Sequence, residues 1–253
     1  MELNGTSAVV TGAASGLGAA TAALLASRGV RVLGIDLAAS IEKAGAPAAG
    51  IGYAPADVTD EDQVAEALAT LADAPPLRLA VNCAGIAPAK RILSSKGVHD
   101  LATFQRTIDI NLVGTFNVLR LAAEIMAEQE PVDEAGQRGL IVNTASVAAY
   151  EGQIGQIAYA ASKGGVVAMG ITAARDLARS GIRVNTIAPG IIGTPLLEAL
   201  GPEVNESLAA SVPFPARLGR PDEFAQLVAM LAEHDYLNGE TVRMDGALRM
   251  APK

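Results

Sequence analysis

Five short runs, Ser7–Val10, Arg31–Ile35, Leu79–Asn82, Leu140–Asn143 and Arg183–Ile187, are dominated by apolar and β-branched residues and show no alternation with polar ones. A strand without a polar face has to be covered on both sides, as in a parallel sheet, whereas strands with one face in water alternate. Helix-like stretches separate the runs. In 61–73, Val64, Leu68 and Leu71 mark one face, and Thr59-Asp60-Glu61-Asp62 ahead of it reads as a capping box. Apolar strands alternating with helices predict an α/β fold, with one open parallel sheet and helices on both faces. No repeat, low-complexity tract or long Pro/Gly/Ser linker interrupts the pattern, so residues 1–253 are expected to form a single domain.

The core has to be aliphatic. Half of the 253 residues are hydrophobic, but aromatics make up 3% and there is no Trp. A formal net charge of −8 argues against a nucleic-acid-binding surface, which would show a basic patch. It leaves room for an anionic small ligand held by local donors. One cysteine, Cys83, cannot build a disulfide framework; it fits a reducing compartment and reads as a small buried hydrophobe. Residues 3–27 carry no charge and are long enough to span a bilayer, yet Asn4, Gly5, Thr11, Gly12, Ser15, Gly16 and Gly18 break them up. They have neither the basic start of a secretory signal nor the arginines of a transit peptide. The expectation is a soluble cytoplasmic protein with no membrane or nucleic-acid partner.

Chemistry concentrates at strand ends. After the first strand, Thr11-Gly12-Ala13-Ala14-Ser15-Gly16-Leu17-Gly18 opens a helix near 17–28. Backbone N–H groups at such a turn can hold a pyrophosphate, and glycines let it approach. The spacing is G-x3-G-x-G, and taken alone it is also ordinary strand-to-helix turn chemistry. Asp36 ends the second strand, where a carboxylate can bind a ribose diol and repel a 2′-phosphate, so NAD is expected over NADP; an N-cap or turn acid is the alternative. Together these predict a Rossmann-type, doubly wound sheet and a dinucleotide-binding domain. Farther along, Tyr159 and Lys163 stand four apart, on one helix face. A lysine ammonium near a phenol favours the ionised form, which makes the tyrosine a usable acid or base. Ser146 follows the fourth run in NTASV, placed for a ligand contact, unless it is a loop or N-cap serine. Asn111 sits in an apolar helix, where its buried amide needs partners; a satisfied structural amide is the other reading. Pro189-Gly190 and Thr194 follow the fifth run, suited to pressing on a nicotinamide ring or to plain turn formation.

The remaining features are weaker. His99 and His234 have no metal-site spacing and read as surface residues; no metal is expected. Loops 86–100 and 190–217 follow strands on the ligand side. Lys90, Arg91 and Lys96 in the first are a solvated basic loop or a dock for a phosphate-bearing substrate such as an acyl-CoA. Stretches 109–129 and 157–178 are apolar or small nearly all round, which implies burial on every side and a homo-oligomer interface, or else a helix beneath a lid loop.

Read together, TGAASGLG (11–18), Asp36, Asp57-Val58, Asn82-Cys83-Ala84-Gly85, Asn111, Ser146, Tyr159/Lys163 and Pro189-Gly190 resemble the short-chain dehydrogenase/reductase family. NCAGIA in place of the commoner NNAG, together with NTASVAAYEGQIGQIAYAASKGG and LNGETVRMDGALRM, resembles the members that act on 3-hydroxyacyl-CoA and are also described as hydroxysteroid dehydrogenases. The resemblance implies an NAD-dependent oxidoreductase of a short or branched 3-hydroxyacyl-CoA, with a hydroxysteroid, another secondary alcohol or a non-catalytic NAD-binding role as alternatives. It implies Tyr159 as catalytic acid/base and Lys163 as the residue that lowers its pKa and binds the nicotinamide ribose. Ser146 then holds the substrate oxygen, and Asn111 positions a water in a relay through the lysine. Cofactor contacts carry over to Gly12, Ser15, Gly16, Leu17, Gly18, Asp36, Asp57, Val58, Asn82, Ala84, Gly85, Pro189, Gly190, Ile192 and Thr194, and the assembly to a tetramer.

Overall fold

The computed structural model describes residues 1–198 and 201–251. Seven strands form one sheet in the order β3 (Ile51–Pro55), β2 (Arg31–Asp36), β1 (Ser7–Thr11), β4 (Leu77–Asn82), β7 (Gly139–Thr144), β8 (Ile182–Pro189) and β9 (Thr241–Met244). Every pairing is parallel. The five expected strands are all present, each a residue or more longer. β3 and β9 were not foreseen: IGYAP is short, with a glycine and a proline, and TVRM has only two apolar residues.

The apolar runs are explained by two core layers. Val9, Ala80, Ile141 and Val184 face one side with Val118, Ala122 and Met126 of α5 (Gly114–Ala127). Val10, Val81, Val142 and Ile187 face the other with Leu25 of α1 (Gly16–Ser27) and Phe224 and Leu231 of α9 (Pro221–Glu233). All these side chains are fully enclosed, and each Val, Leu, Ile or Phe so placed contributes roughly 1.5–3 kcal/mol over exposure.

Several expected boundaries shift for local reasons. The stretch 61–73 is helical only as α3 (Glu61–Ala69), because Thr70 bonds back to Ala67 O through both its amide (3.2 Å) and its hydroxyl (2.6 Å). Its cap is Asp60 with Gln63, three residues on, rather than Thr59 with Asp62: Asp60 Oδ1 accepts from Gln63 N at 3.1 Å. The uncharged segment 3–27 is a strand, a turn and a helix, not one span. The stretch 109–129 belongs to a longer helical rod that begins with α4 (Leu101–Ile108), capped by Asp100, passes through a π-helical segment at Asp109–Val113, and continues as α5. The stretch 157–178 is α6 (Ile157–Asp176), tightening to a 3₁₀ turn through Ser180. Leu101–Ala127 and Ile157–Asp176 are long and apolar enough to cross a membrane; here α5 covers β4 and β7 while α6 covers β8. In the single chain each covers the sheet with one face and leaves apolar side chains on the other: Val113, Phe116 and Ile171 are 47, 50 and 41% exposed. Loop 86–100 carries a two-strand hairpin, β5 (Leu93–Ser94) and β6 (Gly97–Val98). Positions 199 and 200 of loop 190–217 lie outside the described residues; its described part includes α7 (Pro195–Glu198) and α8 (Pro202–Ala210).

Candidate active site

The sheet order reverses between β1 and β4, and in open α/β sheets the crevice at such a point, at the carboxyl ends of the strands, is where ligands bind. A cleft of about 780 Å³ lies there.

Its floor is the glycine turn. Gly12 has φ +65°, and a Cβ on it would stand 3.0 Å from Ala84 N, so the turn can lie against the end of β4 only with glycine there. A Cβ on Gly18 would come within 2.2 Å of Gly12 O, closing the turn onto the first coil of α1. The Thr11 hydroxyl joins the same junction, accepting from Cys83 N (3.0 Å) and Ala84 N (3.1 Å). At the N-terminus of α1 no side chain caps the first amides, and Ser15, Gly16 and Leu17 line the cleft. Uncapped amides, glycines that admit close approach and a helix N-terminus make a donor set that fits a pyrophosphate.

Asp36 stands at one end of the cleft. Its Oδ2 accepts from Ala14 N at 3.0 Å and its Oδ1 from Leu37 N at 2.8 Å, which orients the carboxylate and leaves lone pairs for a ligand. Asp57 and Val58 line the wall beyond the end of β3. Asp57 Oδ1 accepts from Thr59 N and Oγ1, and Val58 O is held by Asn117 Nδ2 at 2.9 Å.

The cleft also holds Ser146, Tyr159 and Lys163, the residues expected to transfer the proton. Ser146, just beyond β7, is buried; its hydroxyl accepts from Ala148 N at 3.1 Å, starting a 3₁₀ turn at Val147–Ala149. Tyr159 and Lys163 share a face of α6, as their spacing requires, with the ammonium 5.8 Å from the ring centroid. Lys163 Nζ donates to Thr144 O at 2.6 Å. Burial brings the lysine down to about 8, against a smaller opposing effect of the Cys83 thiol. Lys163 was expected to favour the ionised phenol. In the structure burial raises the Tyr159 phenol, and it is the Ser146 hydroxyl that opposes the rise. Cys83 is a cleft-wall residue, not a fully enclosed hydrophobe; burial of its thiol pushes it up to about 12.

Two expected site residues do not line the cleft. Asn82 is buried, donating from Nδ2 to Asn143 Oδ1 at 2.9 Å. Asn111, in the π-helical segment, is enclosed and bonded: its Oδ1 accepts from Ile86 N at 2.8 Å, and its Nδ2 donates to Ile86 O (2.9 Å) and Ser162 Oγ (3.0 Å). Its amide therefore pins the strand exit at Ile86 to α6. A Cβ on the intervening Gly85 would meet Asn111 Oδ1 at 3.1 Å and Lys163 Nζ at 3.7 Å, so Asn111 still borders the lysine. Every other expected residue, from Gly12 through Thr194, lines the cleft. Ala102, Gln105, Arg106 and Asp109 of the α4 rod line it too. Sequence reasoning missed these; the signal was Asp100 as an N-cap, which would have started the helix early enough to reach the site. The basic loop is partly spent internally, with Lys90 paired to Asp100.

Comparison with known proteins agrees with this geometry. The family model described as enoyl-(acyl carrier protein) reductase matches residues 12–248. The chain belongs to the short-chain dehydrogenase/reductase family. It is therefore an oxidoreductase, using a nicotinamide cofactor on a small-molecule substrate. Within the family it is 54% identical to the 3-hydroxyacyl-CoA dehydrogenase type-2 of Homo sapiens over 257 aligned positions, covering 99% of this chain and 98% of that one. It is 35% identical to a 3-oxoacyl-[acyl-carrier-protein] reductase of Thermotoga maritima, covering 98% and 99%. The crystal structure of 3-hydroxyacyl-CoA dehydrogenase type-2 from Mycobacterium avium superposes with a TM-score of 0.90 at 45% identity, over the full length of both chains.

Proposed function

We propose that this protein is an NAD-dependent dehydrogenase of short or branched 3-hydroxyacyl-CoA thioesters, running in reverse as a 3-oxoacyl-CoA reductase. The observation that carries the reading is that one cleft holds Ser146, Tyr159 and Lys163 together with an oriented carboxylate at Asp36. Asp36 supports NAD: a diol can donate to it, whereas a 2′-phosphate would meet a like charge. The substrate class rests on the names of the relatives that match the chain from end to end. Arg91 and Lys96, beyond the cleft on the loop whose Lys90 pairs with Asp100, suit the phosphates of a coenzyme A.

In this reading, the glycine turn and the α1 N-terminus hold the pyrophosphate, and Lys163 holds the nicotinamide ribose. When bound, the nicotinamide supplies the hydride acceptor. Ser146 and Tyr159 hydrogen-bond the substrate hydroxyl, and the phenolate oxygen takes its proton as the C–H bond breaks. Lys163 Nζ stands 5.8 Å from the Tyr159 ring centroid, and the Ser146 hydroxyl is the group that opposes the burial-driven rise of the phenol. Asn111, rather than meeting the substrate, fixes the backbone at Ile86 beside the lysine, where a relay water would bond.

The test is NADH absorbance with purified protein, NAD or NADP, and a panel of 3-hydroxyacyl-CoAs, hydroxysteroids and simple secondary alcohols. Turnover of 3-hydroxybutyryl-CoA or its 2-methyl analogue with NAD is expected. Turnover confined to steroids or simple alcohols overturns the substrate and keeps the mechanism. Tyr159→Phe is expected to abolish turnover with NAD binding intact; activity within about tenfold of wild type would refute the proton-transfer role, which is worth 10²–10⁴-fold. We further propose a cytoplasmic homotetramer, supported by the lone Cys83 and by the apolar exposure of Val113, Phe116 and Ile171. Sedimentation analysis at the monomer mass would refute the assembly.

A further inference from the structure

The segment between Ser146 and Tyr159 carries Tyr150 and Glu151, neither of which lines the cleft. Glu151 uses both carboxylate oxygens on Arg243: NH1 to Oε1 at 3.0 Å and NH2 to Oε2 at 3.4 Å. It also accepts from Met250 N at 2.9 Å. The other edge of the same guanidinium grips Asp245 Oδ2, from Nε at 2.8 Å and NH2 at 2.7 Å. Arg249 bonds both carboxylates from outside, Nε at 3.4 Å from Glu151 and NH1 at 3.2 Å from Asp245. The Tyr150 ring lies 5.4 Å from the Arg243 guanidinium. An exposed ion pair contributes little, but this is a forked guanidinium engaged on two edges, and the side chains of Asp245, Glu151 and Arg243 are only 8, 22 and 23% exposed.

Asp245 reaches the second wall. Gly190 N donates to Met244 O at 2.9 Å, and a Cβ on Gly190 would come within 2.8 Å of Asp245 Cβ. Pro189 and Gly190 line the cleft. One arginine thus ties the segment that carries the reacting side chains to the segment that backs the other face of the site. Within 147–156 the backbone bonds are mostly local turns, such as Glu151 N to Val147 O at 3.0 Å. Beyond the buried Val147 and Ala148 and the bond from Lys90 N to Gly155 O at 2.8 Å, the grip from Arg243 is a long-range tie that reaches the second wall.

We propose that Arg243 is a positioning residue for the reaction, holding Glu151 and Asp245 together so that Ser146 and Tyr159 keep their distance from the Pro189–Gly190 wall. The inference rests on the reading of Ser146 and Tyr159 as the reacting pair. Displacement of reacting groups by an ångström can cost roughly 10²-fold in rate, so loosening this clamp acts on kcat first. Pro189 and Gly190 also border the cofactor cleft, but the glycine turn and Asp36, which would hold the pyrophosphate and the adenosine ribose, lie on other elements, so the KM for NADH changes far less than kcat.

The experiment follows NADH consumption with acetoacetyl-CoA for wild type, Arg243→Met, Glu151→Gln, the double variant and Tyr159→Phe, beside thermal melts of each. Expected is a kcat at least about tenfold lower in each clamp variant, the KM for NADH within about twofold, and a double variant no worse than Arg243→Met alone, as for two members of one unit. Unchanged kcat in Glu151→Gln, which keeps the side chain's size, overturns the proposal even if the melt shifts. So does a loss that appears wholly in KM, or two losses that simply add. Should Arg243→Met fail to fold, Glu151→Gln alone decides. Persisting turnover in Tyr159→Phe refutes the reading of the site instead, and inactivity of wild type on acetoacetyl-CoA refutes only the substrate class, the series then being run on whichever alcohol of the panel is turned over.

Discussion

Lys163 gives the sharpest quantitative prediction, because its burial carries a stability cost with a defined pH signature. The residue is 5% exposed and its pKa falls from 10.5 to about 8. The folded state therefore releases this proton more readily than the unfolded chain. Between about pH 8 and pH 10.5 the unfolded state binds more protons, so stability rises with pH through that window. The cost is fully present below about pH 8 and gone above about 10.5; a shift of about 2.5 units corresponds to about 3 kcal/mol. Lys163→Met removes the titration. It also leaves Thr144 O without its 2.6 Å donor, an offset that does not depend on pH. Urea unfolding of both proteins without cofactor is the assay. The stability of wild type relative to Lys163→Met is expected to rise by about 2 kcal/mol between about pH 7.5 and pH 9.5, as integration of the linkage relation gives. A difference that stays flat within about 0.5 kcal/mol, or one that falls with pH, refutes the claim that burial dominates this lysine. Turnover is lost in the variant in either case.

Other residues give plainer tests. Asp36→Asn is expected to raise the KM for NAD at least about tenfold, since hydrogen bonds to a charged group are worth about 1.5–3 kcal/mol, and to improve NADP by removing the repelling charge; an unchanged ratio of kcat/KM for the two cofactors would count against Asp36 as the selector. Asn111→Ala deprives the amide and carbonyl of Ile86 of their side-chain partners, and because these groups are only partly buried a loss of about 1–3 kcal/mol in urea unfolding is expected. Stability unchanged within about 0.5 kcal/mol would show that the Ile86 groups are not dependent on it. Gly18→Ala places a methyl 2.2 Å from Gly12 O; titration of the protein with NADH, followed by fluorescence, is expected to show binding weakened by at least about tenfold, and tight binding would mean that the turn relaxes.

Much of the site was legible because its residues sit at strand ends, and strand ends follow from local pattern. The continuous apolar runs place Gly12, Asp36, Ala84, Ser146 and Pro189 at the carboxyl edge of one sheet before any coordinate is known. Helical periodicity does the same for Tyr159 and Lys163, one turn apart on α6. What local pattern could not reach was anything set by partners distant in the chain. Asn82 and Asn111 both look like ligand amides in sequence; Asn111 is taken up by Ile86 and Ser162, while Asn82 is buried and gives its Nδ2 to Asn143 Oδ1. The edge strands β3 and β9 are too short and mixed to read alone; each exists because a neighbouring strand supplies its hydrogen bonds.

The sequence by itself determined the fold class and put the glycine turn, Asp36 and the Tyr159/Lys163 pair at strand ends and on one helix face, since these follow from residue type and spacing along short stretches; the roles of the serine, tyrosine and lysine came from the family resemblance. Only the tertiary structure decided the electrostatics and the framing of that chemistry. Burial, a property of the whole assembly of elements, raises Tyr159 and lowers Lys163. The clamp that joins Glu151 to Arg243 spans 92 positions of chain. No local pattern encodes such a contact, because it exists only once the sheet has brought the ends of β7, β8 and β9 to one edge.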